Sequence, residues 1–141
     1  MCIRDRGYLI AGELREAGVG VILGPLLCDR SKPELKRLSM KAPAILRRAG
    51  VKFALMTDHG VIPEQYLPVE AGLCVREGLP EMEALRAITI NAAEVIGLAD
   101  RIGSLAPGKD ADLVLFDGHP LETRTHTSLV LVGGEVACER N

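Results

Sequence analysis

A largely apolar, β-prone segment at residues 51–57 ends abruptly in Asp58, His59 and Gly60. This ending constrains the fold more than any other feature, because residues at the carboxyl ends of parallel strands in α/β folds face the active-site mouth. An acid and an imidazole in that position are able to contact a substrate or a metal. A plainer interpretation stays open, in which Asp58 is a turn or helix-capping residue and His59 is a solvated neighbour.

The residues before this segment predict an alternation of helix and strand. Residues 8–17 carry apolar side chains at helical spacing and are followed by Gly18, which is typical of a helix end. Residues 19–23 form a continuous apolar run, as expected of a strand that is buried on both faces. The strands at 19–23 and 51–57 are therefore predicted to be parallel neighbours, joined by a right-handed helical crossover.

The crossover contains a predicted helix start. Ser31 and Glu34 have the spacing of a capping box, and Pro33 falls in the first turn, where its missing N–H is harmless. Pro43 is predicted to break this helix and to restart it toward Gly50.

The pattern changes at about residue 99. Before it, helices are predicted at 67–77 and 80–88, and Asn91 is interpreted as the cap of a further short helix. After it, the Pro-Gly pair within residues 106–109 predicts a type II turn. Three short strands are expected in this part, at residues 113–116, 129–132 and 135–138, with Gly133-Gly134 as the hairpin turn between the last two.

Four features follow one another in a fixed order. They are the strand that ends at Asp58, the helix at 67–77, the sequence AITINAA at 87–93 and the sequence GKDADLV at 108–114. Their order and spacing resemble the carboxyl-terminal part of the amidohydrolase superfamily, particularly its imidazolonepropionase-like branch of cyclic-amide hydrolases. The resemblance runs from about residue 7 to the end of the chain.

This resemblance implies an α/β fold that is the carboxyl-terminal part of a (β/α)8 TIM-like metal-dependent hydrolase barrel plus part of a small β-sandwich. Residues 7–98 would be the last βα units of the barrel, and residues 99–141 the sandwich tail. A whole barrel needs about 250 residues, so we expect a carboxyl-terminal fragment of a longer gene product, with a natural short protein as the alternative. Residues 1–6 do not fit the family pattern and are interpreted as a non-native scar.

The resemblance also implies hydrolysis of non-peptide carbon–nitrogen bonds in cyclic amide-like substrates. The family uses a divalent metal, expected here to be zinc, which polarises the substrate carbonyl and lowers the pKa of water toward neutrality. Asp58 matches the family aspartate that contacts the metal and takes the proton from water, and His59 is a candidate for substrate binding. The remaining ligands lie outside this chain, so the isolated fragment is expected to be inactive. The alternative is a non-catalytic module that binds a small molecule or a partner.

The amino-acid composition excludes some classes of binding partner and indicates a cellular location. A net charge of −2 and an aromatic fraction of 3% argue against nucleic acid and anionic membranes. The resemblance implies a small-molecule substrate as the partner. The four cysteines are far apart, which fits reduced thiols in a cytoplasmic protein. The strand at 19–23 would lack its upstream neighbour in a part-barrel, and this open edge predicts possible homo-oligomers.

Other polar residues receive plainer roles. Asp110 and Asp112 resemble a catalytic pair, but they flank the entry to a tail strand and are interpreted as turn-capping residues. Solvated or structural roles are expected for Arg30 and Lys32 after the first strand and for His119 and His126 in the tail, with contact of Arg30 or Lys32 to an anionic substrate group as the alternative.

Overall fold

The computed structural model describes residues 2–3 and 6–140. Its helices are α1 (Ala11–Glu16), α2 (Ala42–Arg48), α3 (Leu67–Arg76), α4 (Glu81–Ala87) and α5 (Ile90–Val95), with 3-10 helices at Gly7–Ile10, Pro33–Leu35 and Glu64–Tyr66. Its strands are β1 (Cys2–Ile3), β2 (Val21–Leu23), β3 (Phe53–Leu55), β4 (Leu113–Phe116), β5 (Thr127–Val132) and β6 (Glu135–Glu139). The presence of both helices and strands agrees with the predicted α/β class. Within this part of the chain, every helix is too short or too polar to cross a membrane.

Strands β1, β2 and β3 form a parallel sheet with β2 in the middle. Val21 lies beside Phe53, and Leu23 lies beside Leu55. The segments predicted at 19–23 and 51–57 are thus confirmed as parallel neighbours, although both strands are shorter than predicted. Helix α2 lies between them in the chain and packs on β3.

The prediction that β2 has an open upstream edge is wrong. Cys2 and Ile3 pair with Ile22 and Leu23 in parallel register. Strand pairing uses backbone N–H and C=O groups, which every residue except proline carries, so a short segment of any suitable sequence can occupy a strand edge. Cys2 and Ile3 belong to the segment interpreted as a non-native scar, and that origin stays a prediction.

The core lies between the parallel sheet and the helices around it. Strand β3 is buried along its whole length, and β2 is buried at Val21 and Leu23. Parallel strands that are covered on both faces appear in a sequence as continuous apolar runs, which explains why these two strands were recognisable. The helices contribute buried side chains to the same core, including Leu14, Leu46, Ala71, Cys74, Ala84 and Ala87.

Two predicted helix caps are wrong, because other groups hold the side chains. The Ser31 hydroxyl donates to Asp29 Oδ1 at 2.7 Å, and no side-chain cap is found among the described residues at the 3-10 helix that follows. Asn91 lies inside α5, where its side-chain amide donates to the Phe53 carbonyl at 3.1 Å. This bond ties α5 to β3. The restart at Pro43 is confirmed, since Pro43 falls in the first turn of α2.

Strands β4, β5 and β6 form an antiparallel sheet. Gly133 and Gly134 have φ angles of +59° and +85°, as a tight hairpin between twisted strands requires. At the predicted type II turn, the Lys109 N–H donates to the Ala106 carbonyl at 3.2 Å, and Gly108 has a φ of +88°. Both predicted turns are therefore confirmed.

The loop between β4 and β5 contacts the helices α3 and α4. At Gly72 of α3, an added Cβ would lie 2.7 Å from the Leu121 carbonyl oxygen, so the close approach needs a residue without a side chain. His119 Nε2 lies 3.0 Å from Glu81 Oε1 at the start of α4. These contacts seat the loop between β4 and β5 against α3 and α4.

Candidate active site

The carboxyl ends of β2 and β3 lie side by side. The Met56 N–H donates to the Leu23 carbonyl at 3.0 Å. The next residue, Gly24, passes so close to Met56 that an added Cβ would collide with the Met56 carbonyl oxygen. Gly24 also has a φ of +143°, which glycine adopts far more readily than other residues. The loops after both strands therefore start from the same edge of the sheet.

Asp58 opens the loop after β3. It is half-buried and has a φ of +54°, in the left-handed region where Asp and Asn are enriched among residues other than glycine. Its carbonyl accepts the Val61 N–H at 2.8 Å, which closes a turn. Because the backbone makes this turn, the predicted turn role and a chemical role for the carboxylate are compatible.

His59 is exposed in the same turn. Its Nδ1 accepts the Glu64 N–H at 3.2 Å, at the start of the 3-10 helix that leads into α3. An accepting Nδ1 carries no proton, so the proton of the neutral ring is on Nε2. A substrate contact of His59 would therefore use Nε2.

Asp58 is the candidate metal ligand that the sequence predicts in this chain. In residues 2–3 and 6–140, no three His, Cys, Asp or Glu side chains come close enough together to hold a metal ion. Zinc sites in proteins usually have three or four protein ligands. The described residues therefore do not form a zinc site by themselves, and Asp58 would be a single contributor to one.

A carboxyl group that the sequence analysis missed lies between α3 and the loop after β2. Glu70, in the first turn of α3, is fully buried. Its Oε2 accepts the Leu26 N–H at 3.2 Å, while Oε1 has no hydrogen-bond partner among the described residues. Glu70 is buried on α3 together with Ala71 and Cys74. A glutamate among the apolar positions of a helix is the signal that would have revealed it.

The surroundings of Glu70 change its acidity. Burial raises the pKa of Glu70 to about 7, because the charged carboxylate loses its hydration, and the N–H groups of Leu26 and Leu27 oppose this rise. Burial also raises the pKa of the Cys74 thiol to about 12, with smaller contributions from the charges of Glu70 and Glu77. Cys74 is therefore a protonated thiol at neutral pH and a poor nucleophile.

Asp110 and Asp112, the tail pair that resembles a catalytic pair in the sequence, both have structural partners. Asp112 Oδ1 accepts the Gly133 N–H at 2.8 Å and so fixes the β5–β6 hairpin. Asp110 Oδ2 accepts a hydrogen bond from Arg101 Nη2 at 2.7 Å. Both bonds lie within residues 99–141. They agree with the interpretation that Asp110 and Asp112 are structural residues.

Known proteins similar to this chain identify its family. The sequence profile described as "Amidohydrolase family" matches residues 2–138. The chain belongs to the amidohydrolase family. It is 42% identical over 110 residues to the imidazolonepropionase of Geobacillus kaustophilus (strain HTA426), covering 74% of this chain and 25% of the relative. It is 40% identical over 117 residues to the imidazolonepropionase of Shouchella clausii (strain KSM-K16), covering 79% and 24%.

A solved amidohydrolase from Thermotoga maritima MSB8 has the same fold. It superimposes with a TM-score of 0.95 and 42% identity, over 99% of this chain and 37% of that protein. The superposition includes both the parallel sheet and the tail. The resemblance to the superfamily and to its imidazolonepropionase-like branch is thus confirmed. The chain spans about a quarter of the length of the curated relatives it matches.

Proposed function

We propose that this chain is the carboxyl-terminal portion of a metal-dependent amidohydrolase that cleaves non-peptide carbon–nitrogen bonds in cyclic amide-like substrates. In this proposal, residues 7–98 are the last βα units of a (β/α)8 barrel and residues 99–141 are part of a β-sandwich. One observation carries it: Asp58 lies in the loop at the carboxyl end of a buried parallel strand in a member of the amidohydrolase family. The names of the curated relatives support the cyclic-amide class.

A carboxylate in this position suits the two proton transfers of amide hydrolysis. Attack of water on the carbonyl carbon forms a C–O bond and releases a proton from the water. Cleavage of the C–N bond then requires a proton on the leaving nitrogen. Asp58 would accept the first proton and deliver it to the nitrogen, so that the carboxylate returns to its starting form after each turnover.

A divalent metal, for which we propose zinc, would polarise the substrate carbonyl when bound. Asp58 would be one ligand, and the other ligands would come from residues outside this chain, because the described residues hold no complete set. His59 is proposed to contact the substrate through Nε2. The isolated 141-residue chain is accordingly proposed to be inactive.

The proposed partner is a small molecule in the cytoplasm, with neither nucleic acid nor a membrane as a ligand. The net charge of −2 supports this choice, since both polyanionic surfaces attract strongly basic proteins. Association with further copies of the chain is proposed as a secondary property, because short parallel strands leave backbone groups at the sheet edges.

Asp58→Asn tests the function in the full-length protein that contains this chain, with any upstream residues that its gene encodes. Asparagine keeps the shape of the side chain but cannot accept the proton, so turnover of five-membered cyclic amides such as imidazolones and hydantoins should fall by roughly 10²–10⁴. Metal content is measured on the same samples, because metal loss would add to the effect.

Asp112→Asn is the matched control, since an amide oxygen can still accept the Gly133 N–H. This variant should keep nearly normal turnover per folded molecule. An Asp58→Asn enzyme with normal turnover and normal metal content would remove Asp58 from the mechanism.

The incomplete ligand set favours one second candidate, a non-catalytic module that binds a small molecule or a partner. If the full-length protein has no turnover on the cyclic-amide panel at any zinc concentration, this candidate replaces the first. Stoichiometric zinc that survives gel filtration of the isolated chain, together with turnover abolished by a chelator, would contradict the proposed inactivity of that chain.

A further inference from the structure

Glu70 is a buried ionisable group that the proposed hydrolysis does not use. Its Oε1 is buried without a hydrogen-bond partner among the residues that the structure describes, and its Oε2 accepts the Leu26 N–H. The Leu27 N–H also acts on the carboxylate. An incompletely bonded carboxylate in a protein interior is destabilising. The chain therefore carries Glu70 at a cost in stability, and its bond to Leu26 indicates what the residue holds in place.

Leu26 belongs to residues 24–30, which we call the β2 loop. The loop is anchored at both ends. At its start, Gly24 packs against the Met56 carbonyl, two residues before Asp58. At its end, the Arg30 side chain donates to the Leu38 carbonyl at 2.8 Å. This bond gives Arg30 a structural contact, and its contact to an anionic substrate group stays the alternative.

The middle of the β2 loop is anchored by α3 through Glu70. Helix α3 follows the Asp58 turn after the 3-10 helix Glu64–Tyr66, whose Glu64 N–H donates to His59 Nδ1. This 3-10 helix thus contacts the turn that carries Asp58 and His59, and the first turn of α3 contacts Leu26. Both loops at this edge of the sheet therefore contact α3 or the 3-10 helix that leads into it.

We propose that Glu70 is a positioning residue, which fixes the β2 loop relative to the Asp58 turn by accepting the Leu26 N–H from the first turn of α3. It contacts no reacting atom in this role. The catalytic meaning of the role rests on the proposed hydrolase function, whereas the placement of the loop rests on the hydrogen bonds alone.

The charge on Glu70 sets the strength of this anchor. An ionised carboxylate accepts a stronger hydrogen bond than a neutral carboxyl group does, and a pKa of about 7 places the change of charge near neutral pH. The groups that act on this charge are the N–H groups of Leu26 and Leu27 from the β2 loop. The Cys74 thiol on α3 is affected by the Glu70 charge but stays neutral up to about pH 12. A single titration is therefore expected at Leu26.

The Leu26 amide resonance reports this titration in the full-length protein. Labelling with ¹³C-carbonyl proline and ¹⁵N leucine selects leucines that follow a proline, which are Leu26 and Leu121 in this chain. The Leu26 signal should shift between pH 5 and pH 9 with a midpoint near 7, and Glu70→Gln should abolish this shift. The matched control, Glu122→Gln at an exposed tail position, should leave the shift intact.

Hydrogen exchange separates positioning from a general effect on stability. Glu70→Leu removes the acceptor, so amides at 26–28 should exchange roughly ten- to a hundredfold faster than in the wild-type protein at the same pH. Amides of β3 should keep their protection. Glu70→Gln, which retains an accepting oxygen, should restore most of the protection at 26–28.

A Leu26 resonance that does not change with pH, or one that titrates identically in Glu70→Gln, would overturn the proposal. Equal acceleration of exchange in the β2 loop and in β3 would also overturn it. If Glu70→Leu does not fold, the titration in the wild-type and Glu70→Gln proteins decides by itself. Neither measurement needs turnover, so a negative result here is distinguishable from a failure to hydrolyse cyclic amides.

Discussion

The parallel sheet and the antiparallel tail use similar apolar residues in opposite ways. In β3, Phe53 has 2% of its surface exposed and Leu55 has 4%. In the tail, Val114 and Leu115 are 49% and 48% exposed. Neighbouring residues of a strand point to opposite faces of the sheet, so both faces of β4 remain accessible. The two sheets must therefore be ordered by different interactions.

Burial orders the parallel sheet, whereas turns and hydrogen bonds order the tail. The tail hairpin is fixed by Gly133 and Gly134 in left-handed conformations and by the bond from the Gly133 N–H to Asp112. A β-hairpin with little burial is only marginally stable by itself, so the tail depends on its seat against α3 and α4. This difference predicts that equivalent substitutions in the two regions have very different effects.

Glycine substitution should give the largest loss of stability. Gly24→Ala adds a Cβ that collides with the Met56 carbonyl and must also adopt a positive φ. We expect it to lower the free energy of unfolding by more than about 4 kcal/mol. Gly108→Ala in the tail turn has the strain of a positive φ without any collision, and should cost about 1–2 kcal/mol. Chemical denaturation of the full-length variants measures both, and equal losses would break the comparison.

Truncation of apolar side chains should give the next largest loss of stability. Phe53→Ala removes a fully buried ring and should cost about 3–5 kcal/mol. Val136→Ala, at a position that is 61% exposed, should change the free energy of unfolding by less than about 0.5 kcal/mol. A large loss for Val136→Ala in the same denaturation experiment would indicate that residues outside this chain cover the tail sheet.

The pH dependence of stability should give the smallest change in the free energy of unfolding. The pKa of Glu70 rises from 4.5 to about 7 on folding, so between these pH values the folded protein keeps a proton that the unfolded chain has released. The free energy of unfolding should therefore fall as the pH rises through this window and stay level above it. The full change for this group is at most about 3 kcal/mol.

Glu70→Gln lacks this titration, so its stability relative to the wild-type protein should improve as the pH rises from 4.5 to 7. Glu122→Gln, in the exposed tail loop, should show a constant difference over the same range. Thermal or chemical unfolding of the three proteins at several pH values measures this. A constant difference between Glu70→Gln and wild type would contradict the buried, titrating state of Glu70.

Sequence reasoning succeeded where a residue type determines its own backbone. The turns at Gly108 and Gly133-Gly134 were predictable because only a few residues adopt positive φ values readily. The strands β2 and β3 were predictable because strands covered on both faces are continuously apolar. The position of Asp58 followed from the second of these patterns.

Sequence reasoning failed where a partner distant in the chain decides the outcome. Asn91 matched a helix cap locally, but the Phe53 carbonyl, 38 residues away, holds its side chain. Glu70 was overlooked because its bond to Leu26 spans 44 residues and a glutamate on a helix is normally solvated. The pairing of Cys2 and Ile3 with β2 could not be predicted either, since backbone pairing leaves little trace in side-chain patterns.

The left-handed backbone at Asp58 has a consequence for how such a site is inherited. Most residue types are strained at a φ of +54°, whereas asparagine and glycine adopt it easily. Both are one nucleotide change away from an aspartate codon. The substitutions that the backbone accepts best are therefore easily reached mutations, and each removes the carboxylate while preserving the turn. In the proposed function, well-folded descendants that have lost the role of Asp58 therefore lie a single mutational step from this sequence.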